Sequence, residues 1–273
     1  MAYRWPHDFG GDGPLLVLCH ATGFCAGAWL PVAEHLRRHY RCIGLDFRGH
    51  GQTLVPAEVD MAWSGMADDL LAVIDRFADE SPVFAVGHSM GGASIALAAE
   101  RRPEAFVAAW AFEPILFGHG KVDREAEAPG LAQVARKRRR SFPSRQEAFD
   151  RYSSRLPLSL FAPEALWAYV EYGFGDCPDG TVELRCTPER EAEVFEHHNS
   201  GSLEAAGTVT FPFAIAASGD GQPPAVGTLA AAAAYPQLTL VDYPELTHFG
   251  PLQDPHGLAA DIHQWFASLS HAQ

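Results

Sequence analysis

Residues 83–100 read VFAVGHSMGGASIALAAE, an apolar β-rich run that meets a Gly-His-Ser-Met-Gly-Gly turn and passes into an alanine-rich helical stretch. A strand that reverses this sharply into a helix crowds the residues around its bend. Gly87 and Gly91 relieve the crowding and leave Ser89 projecting from the turn, at a helix N-terminus rich in unpaired backbone donors. The Gly-x-Ser-x-Gly pattern thus arrives in the strand-turn-helix context that gives it chemical meaning, a serine nucleophile on an elbow.

Outward from this elbow, the first 112 residues alternate β-rich runs with helix-period segments, the pattern of a mostly parallel sheet covered by helices on both faces. Strands are predicted over 15–19, 41–45, 83–86 and 106–112. Between them Trp29, Val32, Ala33 and Leu36 recur at helical spacing, as do Met66, Leu70, Val73, Ile74 and Phe77. After Pro114 the alternation stops. Helix starts follow at Ser144 with Glu147 (a capping box), at Pro163 before the Leu166, Tyr169, Val170 stripe, and at Thr187-Pro188, with no convincing interior strand. The alternation resumes with a strand over 211–217, a helix over 225–235, a strand over 238–243 and a closing helix begun by Asp254-Pro255. Leu258, Ile262, Trp265 and Leu269 give that helix its buried face. The chain therefore divides into a core, 1–114 and 207–273, and an inserted helical segment of three or more helices, 115–206.

Composition bounds the function. The 273 residues carry 20 basic and 34 acidic side chains, a formal charge of −14, and 47% are hydrophobic. Disorder, collagen and coiled coil are excluded, and the acidic excess argues against nucleic-acid or membrane-surface partners. Neither a signal-peptide core at the N-terminus nor an apolar run of ~18 residues is present, so a soluble cytoplasmic protein acting on a small molecule is expected, as monomer or homodimer. The five cysteines, at 19, 25, 42, 177 and 186, lack C-x-x-C spacing and are read as reduced thiols, Cys19 and Cys42 as small buried hydrophobes.

A serine hydroxyl needs a base, and imidazole suits the task best. Among thirteen histidines His248 stands out, because it follows the last predicted strand and precedes the last helix. Its loop lies over the same edge of a parallel sheet as the Ser89 turn. His7, His35, His39, His119, His256, His263 and His271 read as structural or surface residues. The adjacent His197 and His198 cannot face one metal from a single helix face, so no metal is expected. The orienting carboxylate belongs at another strand's C-terminal end. Asp220, in Ser218-Gly219-Asp220-Gly221, is preferred; Glu113, ending the strand over 106–112, is the competitor. For the oxyanion, Met90 offers one N–H directly after the nucleophile, and the loop His20-Ala21-Thr22-Gly23-Phe24 offers the second, assigned to Thr22 with Ala21 or Gly23 as alternatives. His20 itself reads as a brace for that loop.

Taken together, these residues resemble the α/β-hydrolase family. His20-Ala21-Thr22-Gly23 is similar to its oxyanion loop, with Ala21 where glycine is usual. Asp46-Phe47-Arg48-Gly49-His50-Gly51 resembles the D-x-R-G-x-G turn, residues 87–91 the nucleophile elbow, and residues 248–255 the terminal H-F-x-x-x-x-x-P segment. The resemblance implies an α/β fold with an eight-stranded sheet, or one truncated at the amino-terminal hairpin, and a helical cap between the sixth and seventh strands. It also implies a Ser-Asp-His triad in that chain order, although some members place the acid after the sixth strand, as Glu113 would be.

The resulting expectation is a serine hydrolase of a carboxylic ester or thioester: Ser89 attacks, His248 relays the proton, Asp220 orients it, Met90 and Thr22 bind the oxyanion, and no cofactor is required. Carbon–carbon bond hydrolysis, perhydrolysis and elimination on the same triad are the alternatives, as is a ligand-binding protein that retains the triad. Phe117, Phe142, Phe149, Tyr152, Phe161 and Trp167 belong to the aromatic set that packs the inserted segment and in part lines an apolar pocket. The run Arg136-Lys137-Arg138-Arg139-Arg140 reads as a solvated helix face, with recognition of an anionic substrate as its functional alternative.

Overall fold

Strand β2 (Leu15–Cys19) is buried at every position after its first, and its side chains divide by period two. Leu16 and Leu18 pack with Val32, Leu36, Ile262 and Phe266, whereas Val17 and Cys19 pack with Leu70, Met90 and Ile95. A strand apolar on both faces has to be covered by helices on both faces, and that is the architecture of the computed structural model, which describes residues 7–78, 81–118, 124–197 and 201–269. His119, His198 and His271 lie outside the described residues.

In chain order the described elements are β1 (His7–Gly10), β2, α1 (Leu30–Leu36), β3 (Arg41–Leu45), α2 (Trp63–Phe77), β4 (Val83–His88), α3 (Met90–Arg101) and β5 (Phe106–Phe112). Next come α4 (Arg124–Arg136), β6 (Ser141–Phe142), α5 (Arg145–Ser153), α6 (Pro163–Gly173), β7 (Phe174–Asp176), β8 (Val182–Leu184), α7 (Pro188–Glu196) and α8 (Ser202–Gly207). The chain closes with β9 (Phe213–Ser218), α9 (Pro223–Ala234), β10 (Leu238–Tyr243), α10 (Gly250–Gln253) and α11 (Pro255–Leu269).

Seven strands form one sheet in the order β1-β3-β2-β4-β5-β9-β10, with β1 antiparallel and the rest parallel. The expected eighth strand has no counterpart among the described residues, and the insertion follows β5. From β2 the chain moves outward to β3, then crosses back to place β4 on the opposite side of β2. That reversal opens a crevice at the C-terminal ends of β2 and β4, where the 20–24 loop and the Ser89 elbow meet.

Between β5 and β9 the chain leaves this sheet. It forms α4 to α8 and a second, three-stranded sheet in the order β6-β8-β7. The sequence predicts no interior strand there; at two or three residues each, these strands are too short to carry a periodic signal. The segment buries Phe142, Phe161, Leu166, Tyr169 and Phe174 in one cluster with Cys25 and Ala28 from the core. The helix starts read from sequence are present: the Ser144 hydroxyl accepts from Glu147 N at 3.2 Å, and that of Thr187 from Arg190 N at 3.3 Å.

Candidate active site

Ser89 sits between the last residue of β4 and the first of α3 with φ 54° and ψ −117°, a region that side-chain-bearing residues rarely occupy. Its N–H donates to Phe112 O at 3.0 Å and its own carbonyl accepts from Ala93 N and Ile115 N, so three neighbouring segments hold the strained bend. The elbow glycines are there for lack of room. A Cβ on Gly87 would lie 2.6 Å from Gly92 N, and one on Gly91 would strike the carbonyls of Cys19 and His20. Ser89 and His248 line the same cavity, of about 900 Å³, between the sheet's C-terminal edge and the inserted segment.

His248 is held from three sides. Glu113 Oε2 accepts from its Nδ1 at 2.7 Å, Asp220 Oδ2 accepts from its backbone N–H at 3.2 Å, and its carbonyl accepts from His88 Nε2 at 2.7 Å. The carboxylate against the ring is therefore that of Glu113, and the expected contact of Asp220 with the imidazole is corrected. The cause is local. β9 ends at Ser218, and Gly219 turns back over β10 by donating to Tyr243 O at 3.1 Å, which aims Asp220 at backbone, namely His248 N and Gln222 N. Glu113 instead directly follows β5, the strand paired with β4, where Phe112 lies opposite His88, so the residues one beyond each strand end are Glu113 and Ser89. Glu113 is fully buried with φ 40°; its second oxygen accepts from Ser218 N at 2.8 Å and its N–H donates to Ala216 O. With Glu113 accepting from Nδ1–H, the imidazole presents Nε2 as an acceptor.

Met90 is the first residue of α3, where backbone N–H groups have no acceptor within the helix. Thr22 reaches it, Oγ1 to Sδ at 3.4 Å, and lines the cavity beside Ser89. Of the alternatives, Gly23 N–H is committed to His50 Nε2 at 3.1 Å, which takes it out of contention. His20 is a brace as expected: Phe47 N donates to its Nε2 at 3.2 Å, and its Nδ1 lies 2.8 Å from Ala21 O. His50 repeats the arrangement from the other side, with Nδ1 3.0 Å from Arg48 O. Asp46 adds acceptors for Ala26 N and Gln52 N, and Arg48 pairs with fully buried Asp69 through Nη2–Oδ1 at 2.8 Å. Loop 20–26 and turn 46–52 thereby fix each other. Sequence reasoning does not single out His50, Asp46 and Asp69 for this task; the Asp-x-Arg-Gly-His-Gly run is the signal for Asp46 and His50, whereas Asp69 lies outside it on α2.

Burial of these imidazoles lowers their pKa, to about 4 for His20 and about 3 for His50, and well below the usual histidine range for His88, where His248 adds to the effect. Each is neutral when folded, whereas an unfolded histidine takes up a proton below ~6.5. The unfolded state then binds more protons, so stability is complete above that pH and falls as pH drops toward the folded values, by ~1.4 kcal/mol per pH unit for each such group. The melting temperature is expected to decline steadily from pH 6.5 to 5, before most carboxylates titrate; a melting temperature constant across that interval, followed calorimetrically, would contradict the assignment.

The inserted segment grips the 20–24 loop as well. Tyr169 OH donates to Gly23 O at 3.4 Å and accepts from Arg138 Nη2 at 2.6 Å, and Arg138 pairs with Glu191. Gly23, with φ 79°, lies so close that a Cβ would stand 2.6 Å from Glu191 Oε1. The basic run is thus no uniform solvated helix face, since α4 ends at Arg136. Arg136 pairs with Glu196, Arg139 with Glu147 and Arg140 with Glu183, tying α4 and β6 to α7, α5 and β8.

His197 lies 3.5 Å from Asp60, and no group of three metal-ligating side chains occurs among the described residues. The five cysteines are free thiols, and burial pushes Cys42 up to about 12. No helix among the described residues is long and apolar enough to cross a membrane.

A family model described as the alpha/beta hydrolase fold matches residues 14–166. Among curated proteins the chain is similar to protein phosphatase methylesterase 1 of Mus musculus, 36% identical over 88 residues that make up 31% of this chain and 23% of that protein. It is also similar to the (E)-2-((N-methylformamido)methylene)succinate hydrolase of Acinetobacter baylyi, 39% identical over 89 residues, 32% of this chain and 33% of that one. The matched stretch spans about a quarter of the methylesterases' length. Among solved structures, E-2-(acetamidomethylene)succinate hydrolase superposes with a TM-score of 0.83 at 20% identity, covering 94% of this chain and 93% of that one. An esterase of Thermogutta terrifontis superposes at 0.71 and 19% identity, covering 96% and 92%. At these identities the structural likeness speaks for the fold.

Proposed function

The chain belongs to the α/β-hydrolase fold family, and we propose that within it the protein is a serine hydrolase that cleaves a carboxylic ester or thioester through an acyl-enzyme. The observation that carries this reading is the hydrogen bond from His248 Nδ1 to buried Glu113, on a histidine that shares its cavity with the strained Ser89. The triad acid in this proposal is Glu113, and Asp220 positions the histidine backbone.

His248 Nε2 takes the Ser89 hydroxyl proton as Oγ attacks the acyl carbon. The negative charge that develops on the carbonyl oxygen falls to the N–H groups of Met90 and Thr22, which are set in place before reaction and so need no reorganisation. His248 then gives its proton to the departing alcohol or thiol. Water, deprotonated by the same nitrogen, attacks the acyl-enzyme and frees the acid and Ser89. Glu113 keeps the imidazole in the required tautomer and stabilises the imidazolium that forms between the two proton transfers. Nothing in this sequence calls for a metal or organic cofactor. The inserted segment acts as a cap that walls off the cavity from bulk water.

Two-step acyl transfer has a kinetic signature. Rapid mixing with p-nitrophenyl butyrate is expected to release a burst of nitrophenolate stoichiometric with enzyme wherever deacylation is slower than acylation, with a butyryl adduct on Ser89 detected by intact-mass measurement after acid quench. Turnover with neither burst nor adduct at any chain length would argue for direct water attack.

A further inference from the structure

The chain carries a formal charge of −14, yet the charged side chains lining its cavity are Lys137, Arg138, Arg139, Arg151, Arg155 and, as the single carboxylate among the described residues, Glu191. Two of these cations are committed: Arg138 to Glu191 and Tyr169, Arg139 to Glu147, Ser141 O and the face of Phe142. For Lys137, Arg151 and Arg155 no side-chain partner is found among the described residues. They come from two places in the cap. Lys137 directly follows α4 and is exposed; Arg151, half-buried, lies in the last turn of α5, and Arg155, exposed, lies two residues beyond its end.

Carbonyl dipoles at helix ends favour cations there by a modest amount. They do not account for cations gathered around a largely apolar cavity whose single carboxylate among the described residues is already paired. Elsewhere on this molecule most arginines find acidic partners, among them Arg41 with Asp8, Arg101 with Asp68, Arg102 with Asp75 and Arg145 with Asp176. With acidic residues in such excess, three cations that line one cavity and have no acidic partner among the described residues are available to a negative group brought from outside.

We infer that the substrate is an anionic ester: an acyl or leaving group that ends in a carboxylate or phosphate, bound by Lys137, Arg151 and Arg155 while its ester carbon lies at Ser89. The inference rests on the cavity above Ser89 being the substrate site, and it narrows the apolar substrate expected from the aromatic residues to an apolar body with an anionic end. Arginine guanidiniums match either oxyanion by paired N–H donors, and Lys137 adds a compact charge. The three residues discriminate among substrates and take no part in bond-making.

Two measurements on the full chain test this. In the first, mono-p-nitrophenyl adipate is compared with neutral p-nitrophenyl hexanoate as the ratio of their kcat/KM values. The ratio is expected to favour the anion by about tenfold or more at low salt, to shrink in 0.5 M salt through screening of ~10 Å range at 0.1 M and less above it, and to collapse in the Lys137→Gln/Arg151→Gln/Arg155→Gln variant. A ratio taken on one preparation cancels the folded fraction, so a poorly folding variant still reports. Arg37→Gln, which removes a charge outside the cavity, is the control; an equal loss there, or a neutral preference in the unaltered chain, would overturn the inference.

In the second, binding of adipate and of inorganic phosphate is measured by titration calorimetry. Adipate or phosphate binding that weakens about tenfold in the triple variant supports the anion site, and which of the two binds separates a carboxylate from a phosphate substrate. Binding of neither, or binding indifferent to the triple variant, refutes it. Because this arm needs no turnover, anion binding without any ester cleavage or Ser89 adduct would count against the hydrolase reading alone.

Discussion

Ser89→Ala is expected to lower kcat/KM toward a p-nitrophenyl ester by about ten-thousand-fold or more. The loss follows from what remains. Without Oγ the cavity, the Met90 and Thr22 donors and the Glu113–His248 pair all persist, so the residual rate reports binding and oxyanion stabilisation with water as attacker. His248→Ala should fall into the same range. The double variant should be little worse than either single one, since nucleophile and base act as a unit and their losses do not add. Folding is not at issue for the serine: its side chain is small, and the hydrogen bonds that hold the elbow are made by its backbone. Retention of more than about a tenth of the activity in Ser89→Ala would place the attacking group elsewhere.

Glu113→Gln against Asp220→Asn is the second large contrast. The amide introduced by Glu113→Gln is isosteric with the carboxylate and its oxygen can still accept from Ser218 N, but the amide nitrogen then faces His248 Nδ1. Two donors cannot share that contact, so the ring is driven to the tautomer with Nε2 protonated, which cannot take the Ser89 proton. A drop of about ten-thousand-fold in kcat, with KM little changed, is expected. Asp220→Asn keeps an oxygen for His248 N at the cost of the charge and of Gln222 N, and about a tenfold loss or less should follow. Measured side by side, the opposite ranking would return the acid role to Asp220.

That pair also marks where reading along the chain stops being decisive. Both carboxylates follow a core strand, and strand ends are where a triad acid can stand; nothing in one dimension states which of them faces the ring. Tertiary register settles the contact. β4 and β5 are paired neighbours, so Ser89 and Glu113 leave the sheet side by side, whereas the turn after β9 folds back on β10 and spends Asp220 on backbone donors. Glu113 does carry a faint mark, a charged residue directly after the wholly apolar Trp110-Ala111-Phe112. Its left-handed backbone and complete burial become visible only once the sheet is assembled.

The basic run tells a similar story. Five consecutive cations imply mutual repulsion, and solvent is the simplest relief. In the folded chain four of them reach carboxylates on α5, α7 and β8, three of those partners distant in sequence. The cations that line the cavity without one among the described residues, Arg151 and Arg155 with Lys137, lie mostly outside the run.

Local steric demand and the two periods of apolar residues can both be read along the chain. They suffice for the alternation of strands and helices in the core, the serine elbow, the histidine after the last strand and the small-residue loop after β2. They do not say which acid meets the imidazole, how His20 and His50 lock the 20–24 loop to the 46–52 turn, or which charges are left to meet a ligand. Those outcomes belong to the assembled fold. They depend on contacts between residues far apart in the chain, whose energies exist only when strand register and the placement of the inserted segment bring the groups within a few ångströms.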